Sequence, residues 1–241
     1  MSNEIILLLS VAVFFGMAVL AGALFGERGL VCWSVIATIT ANIEVLVLID
    51  AFGMSMTLGN VLFASTFLVT DIISELYGKA AAKRAVHIGI FALICFIVIT
   101  QSWFLYTPNS EDFISGSLRE IFSNTPRVVF SSLLVYAIAQ GFDVWAYHAW
   151  WDFSKKRLGN AEGWLWLRNN GSTLVSQLLN TALFTLLAFW GVYDSGTLAS
   201  IAVSSYVIYI FTSLLDTPFI YLARSLHKRK SKTLLNFHEC G

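Results

Sequence analysis

Charge is what this sequence has little of: Asp, Glu, Lys and Arg make up 12% of its 241 residues, about half the roughly 25% of an ordinary soluble domain. No stretch rich in Gly, Pro or Ser divides the chain, so no interdomain linker can be drawn and one domain is expected. The three cysteines, Cys32, Cys95 and Cys240, have neither metal-ligand spacing nor an even count, which excludes a disulfide framework and a cysteine metal site. They read as small apolar packing residues. No HExxH or GxSxG pattern occurs, and His148 has no Ser or Cys a helical turn away, so nothing points to a hydrolase and no enzyme activity, cofactor or metal is expected. The formal net charge of zero gives no electrostatic case for nucleic acid or another polyanion.

What the sequence has is hydrocarbon. Hydrophobic residues make up 57% and the mean hydropathy is +0.72, which excludes a single water-soluble core. A membrane-spanning helix needs about 20 mostly apolar residues. Seven such segments can be drawn, over 3–25, 29–50, 61–78, 86–106, 127–150, 167–190 and 198–223. The fold class expected is therefore an all-α polytopic membrane bundle of about seven transmembrane helices in a lipid bilayer.

The basic residues orient it. With the C-terminus cytosolic, the inside loops hold Arg28; Lys79, Lys83 and Arg84; Lys155, Lys156, Arg157 and Arg168; and the tail from Arg224 to Lys232. Only Arg119 and Arg127 fall outside. That asymmetry follows the positive-inside rule and places the N-terminus outside. Ala21-Gly22-Ala23 resembles a signal cleavage site, but the leader Met1-Ser2-Asn3-Glu4 has no positive charge and the apolar run is too long, so 1–25 reads as a helix. The longest extramembrane stretch, about 107–126, holds a short amphipathic run over 117–122 and reads as a lid or a surface loop.

Five carboxylates interrupt these segments: Glu44, Asp71, Glu75, Asp143 and Asp216. A charge at the bilayer centre costs at least roughly 2.5–3.5 kcal/mol, so each is a functional candidate. Counting 1.5 Å per helical residue from the cytosolic face puts Asp71, Asp143 and Asp216 at about 10 Å, Gln140 and Gln177 at about 15 Å, and Asn42 and Asn180 at about 20 Å. Five helices thus bring polar groups near mid-depth. Glu75 lies one turn before Lys79, where an i,i+4 ion pair explains it as well as binding does. Glu44 is about 200° round the helix from Asn42 and reads as a local structural acid.

Tyr136, Gln140, Asp143 and Tyr147 share one face of the fifth segment, two rings flanking an amide and a carboxylate, which suits a flat heterocycle. Thr173, Gln177, Asn180 and Phe184 repeat the spacing on the sixth, and Ser205, Tyr209, Thr212 and Asp216 run along the seventh. Interhelical hydrogen bonding explains some of the hydroxyls; it does poorly on the carboxylates, which need a donor or a wet cavity. A guanine-like edge offers adjacent donors to a carboxylate, while Asn and Gln serve its other positions. A cationic amine also fits. With no Arg or Lys expected at mid-depth, a phosphorylated or strongly acidic substrate does not.

The same residues carry a family resemblance. The run from Thr70-Asp71 through Ser74-Glu75 to Gly78-Lys79 with Lys83-Arg84, then Thr125-Pro126-Arg127 with Gln140 and Asp143, then Arg168-Asn169-Asn170-Gly171-Ser172-Thr173 with Ser176-Gln177, and finally Asp216-Thr217-Pro218, together resemble the queuosine precursor transporter family, also grouped as vitamin uptake transporters. The resemblance covers about 31–225. It implies a bacterial inner-membrane importer of 7-cyano-7-deazaguanine, 7-aminomethyl-7-deazaguanine or the free base, salvaged for tRNA modification. It also implies a core similar to the substrate-binding subunits of energy-coupling-factor transporters, so that a subunit of an ATP-driven vitamin or nucleobase uptake system is the alternative. The family commonly has an acid where this chain has Asn180. On this reading 1–28 is an added N-terminal helix, 29–225 a six-helix core and 226–241 a basic cytosolic tail. The small-xxx-small pair Ala18 and Gly22 leaves room for a homodimer. The expected substrate-binding set is Asn42, Asp71, Glu75, Tyr136, Gln140, Asp143, Tyr147, Gln177, Asn180 and Asp216.

Overall fold

The computed structural model describes residues 2–123, 126–158 and 164–239. Cys240 and Thr125 lie outside these, and the side chains of 231–239 are not described. Among the described residues the helices are α1 (Asn3–Phe25), α2 (Glu27–Glu44), α3 (Gly59–Tyr77), α4 (Lys79–Ser102), α5 (Ser115–Ser123), α6 (Pro126–Leu158), α7 (Leu165–Phe189) and α8 (Ser195–Glu239). The segments expected from hydropathy all appear as long helices, except that the second is shorter. Five of them, α1, α3, α4, α7 and α8, are long and apolar enough among the described residues to cross a membrane; α2 carries Glu27, Arg28 and Glu44 within its 18 residues.

The expected second span over 29–50 is corrected: α2 stops at Glu44, and an antiparallel hairpin follows, β1 (Leu48–Ala51) paired with β2 (Met54–Thr57). Its loop is the dipeptide Phe52-Gly53, with φ +52° and +71°. Positive φ at both positions is what a tight type I′ turn requires. The hairpin is tied down at its turn and sides. Asn3 donates to the Asp50 carbonyl at 2.8 Å, the Phe52 N–H donates to Glu4 at 3.2 Å, and Ser204 of α8 donates to the Ser55 carbonyl at 2.9 Å.

The bundle is apolar outward and polar inward, the reverse of a soluble domain. Ile5, Leu9, Val13, Leu20, Phe91, Val98, Trp145, Val175, Val203 and Phe211 are exposed, whereas Asp71, Asp143, Asp216, Arg168, Asn169, Gln140 and Gln177 are buried. In hydrocarbon no water is available to a polar side chain, so it must turn inward to find partners. Helix α3 is the axis of the bundle. It is buried from Gly59 to Ser74 except at the half-buried Phe63, and packs against α1, α2, α4, α6 and α8.

Two close approaches depend on glycine. A Cβ on Gly59 would lie 2.7 Å from the Ala41 carbonyl oxygen, so α3 starts hard against the end of α2. A Cβ on Gly89 of α4 would lie 2.2 Å from the Tyr136 hydroxyl, so the ring of α6 fits only because Gly89 leaves the space. At the N-terminal end of α6, Arg127 donates Nε to the Leu187 carbonyl and Nη2 to the Trp190 carbonyl, both at 2.7 Å. It thereby satisfies orphan carbonyls at the C-terminus of α7.

Candidate functional site

Polar side chains inside the bundle fall into three storeys, and α7 runs through all of them. The first is a cavity at the hairpin end. It is walled by Asn42 of α2, Asn60 and Phe63 of α3, Ser132 of α6, Asn180, Thr181 and Phe184 of α7, and Ser205 and Tyr209 of α8. Between the walls the centre of a water-sized molecule fits in only about 60 Å³. Small-molecule pockets commonly hold roughly 300–1,000 Å³. The walls must therefore part before a ring system can enter.

The polar atoms of this cavity are incompletely used. Asn60 accepts at Oδ1 from Thr57 at 2.8 Å and from the Tyr209 hydroxyl at 3.2 Å, which leaves its Nδ2 without an acceptor. Asn42 donates Nδ2 to the Thr38 carbonyl at 2.8 Å, which leaves its Oδ1 without a donor. Thr181 Oγ1 also lacks a partner. Asn180 and Tyr209 both line the cavity. A buried donor or acceptor left unpaired costs about 1–3 kcal/mol, so these atoms are poised for a guest or for water.

The second storey, toward the basic end, is the carboxylate cluster. Asp71 of α3, Asp143 of α6 and Asp216 of α8 are each 0–1% exposed. Asp71 at Oδ1 and Asp143 at Oδ2 each keep one oxygen without a partner among the described residues, and all three acids reach the same helix. Each has a donor on α7: Thr173 donates to Asp71 at 2.9 Å, Ser176 to Asp143 at 2.7 Å and Asn169 Nδ2 to Asp216 at 2.5 Å. Successive i,i+3 and i,i+4 steps put Asn169, Thr173, Ser176 and Asn180 on one face of α7, which explains how one helix serves both the acids and the cavity. Gln177, whose Oε1 has no partner, sits on α7 one turn from Thr173 and from Asn180.

The third storey closes the basic end. Glu75 accepts at Oε2 from the Tyr147 hydroxyl at 2.8 Å and from Arg168 at 3.0 Å, and Arg224 stands 3.5 Å from its Oε1. Arg168 is fully buried, with its guanidinium 4.5 Å from the Trp151 ring centroid.

Two sequence expectations are corrected here. Glu75 does not pair with Lys79: α3 ends at Tyr77 and the backbone turns at Gly78, φ +82°, so the i,i+4 relation does not run across the break. Arg168 is not in an inside loop. It lies in the first turn of α7, which starts at Leu165, and it is drawn inward by Glu75. A buried cation therefore does exist inside the bundle, at its basic end, and Glu75 engages it.

The face of α6 that carries Tyr136, Gln140, Asp143 and Tyr147 is wholly inward. Its members reach different neighbours. Gln140 bonds Thr66 at 2.8 Å and Thr70 at 3.1 Å, the Tyr136 hydroxyl ends beside Gly89 near Ser34 and Thr38, and Tyr147 serves Glu75. Of the ten residues singled out in the sequence, Asn42 and Asn180 line the cavity, and Asp71, Asp143 and Asp216 form the cluster. Gln177 is buried on α7 between Thr173 and Asn180, and Gln140, Tyr136, Glu75 and Tyr147 brace helices around them. The acids do not line the hollow; they are sealed beneath it. Asn60 and Asn169 were missed as site residues. Asn60 is an amide at a helix start beside a turn, where such residues are ordinary, while Asn169 stood in a recognised motif without an assigned partner.

With hydrocarbon facing out and acids, amides and an ion pair facing in, the fold is that of a multi-pass membrane protein. A family model described as putative vitamin uptake transporter matches residues 57–223. A Bacillus subtilis (strain 168) protein called probable queuosine precursor transporter is 38% identical over 202 residues, covering 84% of this chain and 86% of the relative. No solved structure matches. The chain belongs to the queuosine precursor transporter family, of the vitamin uptake transporter type.

Two of the motifs that carry the resemblance meet in space. Asn169 bonds Asp216, while Asn170 donates Nδ2 to Thr217 at 2.7 Å and accepts from Ser213 at 3.3 Å. These contacts grip α8 just before Pro218, whose missing N–H leaves the Leu214 carbonyl without its intrahelical partner.

Proposed function

We propose that the protein imports queuosine precursors, namely 7-cyano-7-deazaguanine, 7-aminomethyl-7-deazaguanine or the free base, across the bacterial inner membrane. In this reading the membrane is crossed seven times, with the N-terminus and the hairpin end outside and the basic helix end of α8 in the cytosol. The observation that carries the reading is the set of idle polar atoms on the cavity wall. A free N–H on Asn60, a free carbonyl on Asn42 and a free hydroxyl on Thr181 match the carbonyl and ring N–H of a lactam edge, and Phe63, Phe184 and Tyr209 supply aromatic surface for a flat ring. The name of the Bacillus relative supports the same substrate class.

The cavity receives the base from outside while the Glu75, Arg168 and Arg224 network holds the cytosolic end shut. Release needs the reverse arrangement, with the network parted and the cavity walls closed. Asp71, Asp143 and Asp216 stand between the two ends.

The test is uptake of radiolabelled cyano, aminomethyl and unmodified deazaguanines by the purified protein in liposomes, with guanine as competitor. Saturable uptake that unlabelled deazaguanine abolishes is the expected result. If binding occurs but transport needs a copurifying ATPase pair, the protein is instead the capture subunit of an ATP-driven system. Neither binding nor uptake of any member of the series would remove the assignment.

A further inference from the structure

Among the described residues no cation is shown ion-paired with the three buried aspartates. Their donors are two hydroxyls and an amide, from Thr173, Ser176 and Asn169. The buried guanidinium of this region, Arg168, is turned to Glu75 instead. Three negative charges without an ion-pair partner, in a bundle surrounded by hydrocarbon, carry a desolvation cost of several kcal/mol each. Something positive has to accompany them.

Geometry narrows the choice. Asp71 Oδ2 and Asp143 Oδ1 are held by Thr173 and Ser176, one turn apart on α7, while the other oxygen of each, Asp71 Oδ1 and Asp143 Oδ2, is buried without a partner among the described residues. An ionised carboxylate only accepts, so a proton on either acid supplies a donor where the buried oxygens have none. A second, separate feature is the amide of Asn169, which is 0% exposed. Its Nδ2 is held on Asp216, and its Oδ1, on the same amide carbon, is thereby fixed at the edge of the cluster with no donor. A protonated carboxyl or a proton-carrying water would satisfy it. Among the described residues no group of His, Cys, Asp and Glu has the arrangement of a metal-ion site.

We propose that Asp71, Asp143 and Asp216 form a proton-binding site that couples entry of the substrate to the inward proton gradient. The proposal rests on the importer reading above and adds its energy source. The other charged and titratable groups around the cluster are Glu75 on α3, Tyr147 on α6, Arg168 on α7 and Arg224 on α8. They are engaged with one another, two cations and a hydroxyl around one carboxylate. The aspartates are left to the proton. It arrives from the cavity along the α7 face of Asn180, Gln177 and Ser176, is held by the Asp71–Asp143 pair before a base occupies the cavity, and leaves to the cytosol when the Glu75 network parts. One proton and one base move inward per cycle, and the carboxyl pair returns to its starting charge.

The experiment uses wild-type protein in liposomes with the membrane potential clamped at zero. Counterflow exchange of labelled against unlabelled deazaguanine reports carrier function without a gradient, while net accumulation is followed with the outside more acidic by one pH unit. A neutral base carried with one proton should accumulate up to about tenfold, the equilibrium ratio for one pH unit, and a protonophore should return it to the outside concentration. Counterflow with no accumulation under the pH gradient would overturn the coupling and leave the importer reading standing. Accumulation driven by a sodium gradient and indifferent to pH would overturn it too. Absence of counterflow would remove both.

Infrared spectroscopy supplies a readout independent of transport. The carbonyl band of a protonated carboxyl should be present in the wild type at neutral pH and lost in Asp143→Asn, or in Asp71→Asn if the first variant does not fold. A wild-type spectrum without that band overturns the proposal.

Discussion

Asn169 and Asp216 are 47 residues apart in sequence and 2.5 Å apart in space, and their bond fastens α7 to α8 two residues before Pro218. Because both groups are buried, Asn169→Ala strands a carboxyl oxygen that no water can reach. The expected loss is about 1–3 kcal/mol, read as a lower thermal unfolding midpoint of the purified protein in detergent. Asn169→Asp should be worse than Asn169→Ala, since it sets two carboxyls against each other. Equal stability of all three proteins would show that the bond does not hold the helices.

The pair Arg168 and Glu75 invites a double-mutant cycle. Arg168→Gln leaves a buried carboxylate short of its nearest cation, and breaking a buried pair from one side costs about 3–5 kcal/mol. Adding Glu75→Gln removes the stranded charge and should recover a large part of the loss. Strict additivity of the two single changes would mean that the 3.0 Å contact contributes no coupling.

Gly89→Ala drives a methyl group to within 2.2 Å of the Tyr136 hydroxyl. Overpacking of this kind costs about 1–3 kcal/mol. Tyr136→Phe, by deleting the colliding oxygen, should restore part of the stability in the double variant. No rescue would mean that Gly89 is needed for some contact other than this one.

Asn60 projects its unused Nδ2 from the first turn of α3 into the cavity. Asn60→Ala should raise the half-saturating deazaguanine concentration about tenfold, the equivalent of one hydrogen bond of about 1.4 kcal/mol. Unchanged saturation in a variant that folds would move the binding edge elsewhere.

Asp194 caps α8 outside the membrane, accepting from the N–H groups of Gly196 at 2.8 Å and Thr197 at 3.0 Å and from the Thr197 hydroxyl. These donors hold its carboxyl below the usual aspartate range. A lowered folded-state value means that the cap is complete above the ordinary aspartate range and is lost as pH falls through the lowered value. Hydrogen exchange at residues 195–198 should accelerate over that acid window in the wild type and be fast at every pH in Asp194→Ala. A flat wild-type profile would contradict the cap.

How much of this was legible beforehand depends on the range over which each property is set. Hydropathy acts through local segments of about one bilayer thickness, so the long helices and the membrane class could be read directly. The hairpin over 48–57 was missed because Leu48, Ile49, Ala51 and Phe52 are as apolar as a helix would be there. Its strand pairing depends on two positive φ angles that hydropathy does not record. Likewise Arg168 looked like a loop cation because a buried arginine is indistinguishable in sequence from an exposed one until its partner is placed.

The sequence alone determined the composition of the interior: which spans carry acids, that Asp71, Asp143 and Asp216 share a depth, and which face of α6 and α7 turns inward. These follow from 1.5 Å per residue and 3.6 residues per turn. Tertiary structure decided which of those groups meet. Distances such as Asn169 to Asp216, Arg168 to Glu75 and Thr173 to Asp71 join helices tens of residues apart, and they depend on how each helix is rotated and shifted against α3. No local periodicity fixes that rotation. It is set by close approaches such as Gly59 on Ala41 and Tyr136 in the space above Gly89, and it separated a cavity lined by amides from the carboxylates sealed beneath it.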